Sequence, residues 1–147
     1  MPVGKRIDPY KNFKFRVEID GITQSGFNEV IIPEASADVI EYREGNEPTR
    51  VRKLLGRIRY GNIILKSGLT NSLEIYNWWK SVEEGKIRDA RRGMSVIVMD
   101  DEGSDACRWN FIAAWPVKYK PSALVAKGND VVIEELEITH EGMIRVQ

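Results

Sequence analysis

The sequence predicts a mainly β fold: an antiparallel β-sandwich or barrel with one flanking α-helix. Three observations carry that prediction. A run near the start alternates apolar and polar residues. Short runs of similar character recur down the chain between glycine, proline and aspartate turns. Only one stretch shows helical spacing.

Phe13 to Ile19 alternates without a fault, as a strand with one buried face does. Asp20-Gly21 is a two-residue hairpin signal, so a return strand is expected from Ile22 to Val30. Pro33 breaks the pattern, and a further strand is expected from Ala37 to Arg43. From Glu44 to Gly61 the pattern weakens, with Gly45, Asn46, Pro48, Gly56 and Gly61 as breakers. An exposed strand is expected there only around Arg50 to Leu55. A poorly patterned segment of this length in a compact domain points to function or mobility. Asn62 to Lys66 reads as strand again.

The helix is expected over 72–84. Asn71 is its candidate N-cap, Glu74 the capping-box partner, and Gly85 the stop. Leu73, Tyr76, Trp79 and Val82 form the expected buried stripe, flanked by Ile75 and Trp78. Of the adjacent Trp78 and Trp79, one is expected in the core and the other at its edge or against a partner.

The rest is β. Met94 to Met99 is a short apolar run, and Asp100 to Ser104 an acidic turn. Asp105 to Ala114 places Cys107, Trp109 and Phe111 on one face. Pro116 interrupts before Val117 to Tyr119, and Gly128-Asn129-Asp130 is another turn. In the last strand Val131 and Ile133 keep one phase, while Leu136, Ile138 and His140 keep the other. That slip predicts a β-bulge at Glu134-Glu135. No repeat or linker divides residues 1–147, which read as one domain.

Composition narrows the function. Lys plus Arg is 22 and Asp plus Glu is 22, so the net charge is zero. Nucleic-acid binders usually carry a basic excess, so that class is disfavoured. Low self-repulsion favours association between copies. The single cysteine, Cys107, excludes an internal disulfide. No apolar run nears the ~20 residues of a membrane span, so no membrane anchor is expected. Nor does a secretory h-region follow the first residues, so synthesis in a reducing cytoplasm without a Sec signal is expected.

The search for chemistry yields no catalytic, cofactor or metal residue. Phosphate-cradling glycine loops are absent, and one histidine cannot build a His-rich metal site. His140 and Glu141 are strand neighbours pointing to opposite faces, which suits a structural histidine. Cys107 shares a face with Trp109 and Phe111, which suits burial more than nucleophilic attack. Asp100 to Asp105 lacks the spacing of a calcium loop and reads as a solvated turn.

Charge is segregated along the chain. Arg43, Arg50, Arg52, Lys53, Arg57 and Arg59 outnumber Glu44 and Glu47 in the irregular segment. Asp100, Asp101, Glu102 and Asp105 share one turn, and Asp130, Glu134, Glu135, Glu137 and Glu141 lie near the end. Such a chain is suited to contacting its own copies.

The string from Asp8 to Gly21 resembles the opening of the phage tail tube protein family, the inner-tube family of contractile tails and extracellular contractile injection systems. Further matching strings follow in order: Glu41 to Gly45, Arg52 to Leu54, Tyr60 to Lys66, Gly68 to Thr70, and Tyr76 to Trp79. Arg108 to Phe111, Ala114 to Tyr119, Ala126 to Asn129 and His140 to Gly142 complete the series. Leu54-Leu55-Gly56 stands where the family often has Leu-Pro-Gly, and Ile31-Ile32-Pro33 replaces a small-residue turn.

The resemblance implies a fold similar to the haemolysin-coregulated tube protein of type VI secretion. It implies hexameric rings stacked into a tube, with strands of neighbouring subunits pairing around the lumen. An extended segment, about 44–60 here, would reach the adjacent ring. Contacts between subunits and rings would then fall on Arg43, Arg50, Arg52, Lys53, Leu54, Leu55, Arg57 and Arg59, and on Asp100, Asp101 and Glu102. Implied partners are the sheath, baseplate or spike, and tube-terminating proteins, with effector protein or DNA as lumen cargo. The particle would be a phage tail or a phage-tail-like assembly. A tube-initiating paralogue forming one ring at the baseplate is a close variant. A monomeric small-ligand β-barrel would need an apolar cavity. A flavin-binding split barrel would need a phosphate site that the sequence does not display.

Overall fold

Alternation at the start of the chain builds β1 (Phe15–Ile19), which buries Val17 and Ile19 and turns Arg16 and Glu18 outward. The computed structural model describes residues 14–23, 26–43, 45, 49–126, 128 and 131–147. Phe13, the Glu44 and Asn46–Pro48 part of the irregular segment, and the Asn129-Asp130 turn lie outside the described residues.

The turn after β1 forms, with φ of 76° at Gly21 and a hydrogen bond from the Ile22 amide to the Ile19 carbonyl. The expected hairpin stops there. The pairing edge of β1 belongs to β6 (Arg92–Met99), and only the bridge Ile19–Ile22 joins the two arms. The returning chain crosses instead to the other half, where β2 (Phe27–Ile31) pairs with β5 (Ile63–Gly68). Local turn chemistry set the reversal, and burial of Phe27 and Val30 against the core set the partner.

Between β2 and β5 stand β3 (Ala35–Tyr42) and β4 (Arg52–Tyr60), which pair only with each other as a two-stranded sheet. Half of the weakly patterned segment is thus a strand of nine residues. A bulge opposite Asp38 and apolar residues on both faces hid its alternation.

The helix α1 spans Glu74–Glu83, and Gly85 with φ of 78° stops it. Its start and its phase differ from expectation. Leu73 is the N-cap, without a side-chain cap. The Glu74 carboxylate accepts from the Thr23 amide (2.6 Å) and hydroxyl (2.8 Å) instead of closing a capping box with Asn71. The buried residues are Ile75 and Trp78, with Val82 packed beside them, whereas Leu73 and Tyr76 are exposed. Trp79 is half-buried. A second short helix, α2 (Ile87–Ala90), was not foreseen; the Ala90 carbonyl accepts from Trp78 Nε1 at 2.6 Å.

The strand β7 (Asp105–Pro121) serves both halves of the sandwich. Its residues up to Ala114 pair with β6, and those from Trp115 pair with β8 (Ile133–Thr139). Ala113, at φ of 49°, lies where β7 passes from one half to the other. Pro116 does not end the strand, because a register shift beside it absorbs the missing donor. The last strand, β9 (Gly142–Arg145), returns along Trp109 to Ile112.

The expected bulge at Glu134-Glu135 is absent. The β5–β8 register runs unbroken from Ile63–Ile138 to Gly68–Ile133, and burial alternates strictly. Glu134 itself takes a core-facing position, 4% exposed, and accepts from the Tyr119 hydroxyl at 2.8 Å. A paired carboxylate in an apolar phase imitated a slip. The core lies between the β1–β6–β7–β9 half and the β2–β5–β8–β7 half, with Ile75 and Trp78 inserted from α1.

Candidate functional site

The β3–β4 hairpin assembles most of the residues singled out from the sequence. Register fixes its two faces. Ala35 opposes Tyr60, Ala37 opposes Ile58, and Val39 opposes Leu55 on one face. Ser36 opposes Arg59, Ile40 opposes Leu54, and Tyr42 opposes Arg52 on the other. Leu55 is 73% exposed and Val39 58%, and Ile40, Leu54, Ile58 and Tyr60 also stand in water. A lone two-stranded hairpin is marginal in water, and large apolar side chains on both of its faces mark a contact surface.

Arg59 Nε reaches both oxygens of Asp38, at 3.0 and 2.9 Å, and braces the hairpin across its strands. At the bulge, a Cβ on Gly56 would sit 2.9 Å from the Asp38 carbonyl oxygen, so glycine permits the close approach. Arg43, Arg50, Arg52, Lys53 and Arg57 are exposed along and beyond the strands. Sequence reasoning found these cations and the Leu54-Leu55 pair. It missed Val39, Ile40, Ile58 and Tyr60, whose apolar pattern is legible only once the bulge is known.

The hairpin root is tied to the sandwich. The Gly61 amide donates to the Glu34 carbonyl (2.9 Å), and His140 Nε2 lies 3.0 Å from the Gly61 carbonyl oxygen. The His140 ring packs between Tyr60 and Phe111, with centroids 5.5 and 5.1 Å away. The histidine therefore anchors the hairpin. Cys107 is 2% exposed, in the β6–β7 half.

Asp100, Asp101 and Glu102 are not brought onto the hairpin. They form the β6–β7 turn, where the Asp100 carboxylate accepts from the Glu102 and Ser104 amides at 3.0 and 2.9 Å. Among the described residues no group of His, Cys, Asp and Glu is arranged to hold a metal ion.

Both outward sheet faces carry charged pairs, beside the exposed Ile112 and Ile144 on one and Ile31 on the other. On the β1–β6–β7 face, Arg16 grips Asp105 through two hydrogen bonds of 2.9 and 3.0 Å, and Arg108 reaches Glu18 at 3.2 Å. The Arg16 guanidinium holds the Asp105 carboxyl below its usual range. On the other face, Glu29, Lys66, Glu135 and Lys120 align across four strands, and Lys66 contacts Glu29 at 3.1 Å and Glu135 at 3.7 Å. Hydrogen bonding to Glu29 raises the Lys66 ammonium above its ordinary value.

An antiparallel sandwich whose most prominent surface feature is an apolar, basic hairpin has the build of a self-assembling structural subunit. The family model of the T4-like virus tail tube protein gp19 matches residues 11–144, and the chain belongs to that family. It is accordingly a structural tube protein. No curated protein matches it. Solved structures share the fold. A chain of the sheath-tube complex of PVC, an extracellular contractile injection system, in the extended state superposes with a TM-score of 0.83 at 23% identity, over 94% of this chain and 91% of that one. A chain of the six-fold symmetrised anti-feeding prophage baseplate gives 0.81 at 20%, over 96% and 97%. Hcp1 from Flavobacterium johnsoniae gives 0.58 at 19%, over 90% and 94%.

Proposed function

We propose that six copies of this chain close into a ring and that the rings stack as the inner tube of a contractile injection system. The free-standing hairpin carries this reading, because its two apolar faces need cover that the subunit does not supply. Strand direction supports the ring. In the order β2–β5–β8–β7 every pair is antiparallel, so the two edge strands run opposite ways. Copies related by rotation alone then meet edge to edge as antiparallel neighbours, and the sheet continues from subunit to subunit without inversion. The charged row Glu29, Lys66, Glu135 and Lys120 would line the bore, self-paired and hydrophilic.

Residues 1–147 act as one tube domain, and the segment at about 44–60, which includes the second strand of the hairpin, makes the axial contact. Arg43, Arg50, Arg52, Lys53, Leu54, Leu55, Arg57 and Arg59 lie at that contact, with Asp100, Asp101 and Glu102 as countercharges on a neighbouring copy. Sheath and baseplate proteins are the outer and end partners, by analogy with the PVC sheath-tube complex and the anti-feeding prophage baseplate. Protein or DNA is the cargo, and the role is mechanical, without catalysis. No described helix is long and apolar enough to cross a membrane.

Sedimentation of the purified protein against concentration tests this. Growth from rings into tubes supports the reading, single rings at every concentration indicate a baseplate initiator, and a monomer throughout overturns both.

A further inference from the structure

We propose that the end of the sandwich opposite the hairpin, formed by Leu69, Leu124, Val125 and Val131, is the socket that receives the hairpin of a copy in the next ring. This rests on the tube reading and adds to it the receiving surface.

The strands β5 and β8 define the two ends. Ile63 and Thr139 lie beside the hairpin root, and Gly68 and Ile133 lie at the far end. Six residues of strand separate the ends by about 20 Å. The Leu69 amide donates to the Val132 carbonyl at 2.8 Å, which fixes the segment around Val131 onto that far end.

This end has no reason to be apolar in an isolated subunit. Leu124 is 79% exposed, Val125 70%, Val131 68% and Leu69 51%. Leu124, Val125 and Val131 line a cleft of about 400 Å³ walled by alanine, leucine, valine and glycine. Its described lining carries no side-chain hydrogen-bonding group, whereas a small-molecule site uses a few placed polar groups to fix its ligand. The cleft suits apolar side chains, and the hairpin presents Val39, Leu55 and Ile58.

The occupant is a second copy. Plug and socket sit at opposite ends of the same pair of strands, so one copy's plug meets another's socket head to tail. Such a heterologous contact propagates along an axis. The ring uses the lateral edges and leaves both ends free for this.

Disulfide mapping tests it, because the only native thiol, Cys107, is buried. Val39→Cys, Leu55→Cys or Ile58→Cys in one chain is mixed with Leu124→Cys, Val125→Cys or Val131→Cys in a second, size-tagged chain, then assembled and oxidised. Disulfides form only where Cα atoms approach within roughly 7 Å. The expected result is a mixed dimer for at least one pairing, and a covalent ladder when both cysteines share a chain. Tubes visible by microscopy without any mixed dimer overturn the socket and leave the tube reading standing. Absence of tubes from the wild type overturns the tube reading itself. As a second readout, Val125→Asp should keep its melting temperature and its rings while losing pelletable tubes; wild-type tube yield from that variant also overturns the socket.

Discussion

Leu55→Ala separates folding from assembly more cleanly than any other single change. Leu55 is 73% exposed in the subunit, so its truncation removes almost no intramolecular packing. Folding stability should therefore stay within about 0.5 kcal/mol of wild type, as for an ordinary surface substitution. In the proposed tube the same side chain would be buried against the next ring. Full burial of a leucine is worth about 1.5–3 kcal/mol, so the exposed fraction corresponds to about 1–2 kcal/mol per copy. Acting across a ring of six, this weakens each ring junction by about 6–12 kcal/mol if the copies contribute independently. Since each 1.4 kcal/mol is tenfold in equilibrium, the critical concentration for tubes should rise by roughly four orders of magnitude or more. Pelleting against protein concentration measures that onset, and thermal melting of the unassembled protein checks the fold. A critical concentration within about twofold of wild type would refute the placement of Leu55 in an axial contact.

Charge reversal by Arg52→Glu with Lys53→Glu should shorten tubes while leaving the subunit folded, measured as the length distribution in micrographs; unchanged lengths would remove these cations from the interface. Gly56→Val places a Cβ 2.9 Å from the Asp38 carbonyl and should distort the hairpin, so tube yield falls while the core melts normally. Tyr119→Phe leaves the Glu134 carboxylate buried without its donor and should cost about 1–3 kcal/mol in denaturant unfolding at neutral pH. Burial first, and Glu134 second, push the Tyr119 hydroxyl up to about 12. The folded state therefore holds that proton more tightly than the unfolded chain, and the associated stability is full below pH ~10 and lost as pH rises from there toward 12. The Phe variant should lack that alkaline loss, which a melting series between pH 9 and about 12 would show.

Much of the fold was legible because local chemistry and tertiary packing agreed. Val17 and Ile19 alternate with Arg16 and Glu18, and the strand they form is buried on the side its pattern predicts. The Gly85 stop and the Asp100 to Ser104 turn are equally local. Failures came where a long-range partner decided. Thr23 claimed the Glu74 carboxylate and cancelled the capping box. Tyr119 made a buried place for Glu134, so an apolar phase contained a charge and looked like a slip. The pairing of β2 with β5 depends on a crossover that no turn residue announces. At the candidate site, cations and the Leu54-Leu55 pair stood out in sequence. The apolar face from Ala35 to Val39 against Leu55 to Tyr60 did not, since a bulge at Gly56 shifts its phase midway.

A cryo-EM reconstruction of the purified, self-assembled protein tests the central claim most directly. The expected map is a tube of stacked rings in which β2 of each subunit pairs antiparallel with the C-terminal half of β7 in its neighbour, and each β3–β4 hairpin lies buried against the next ring. A protein that stays monomeric at high concentration, or a tube whose hairpins stand free in solvent, would contradict it.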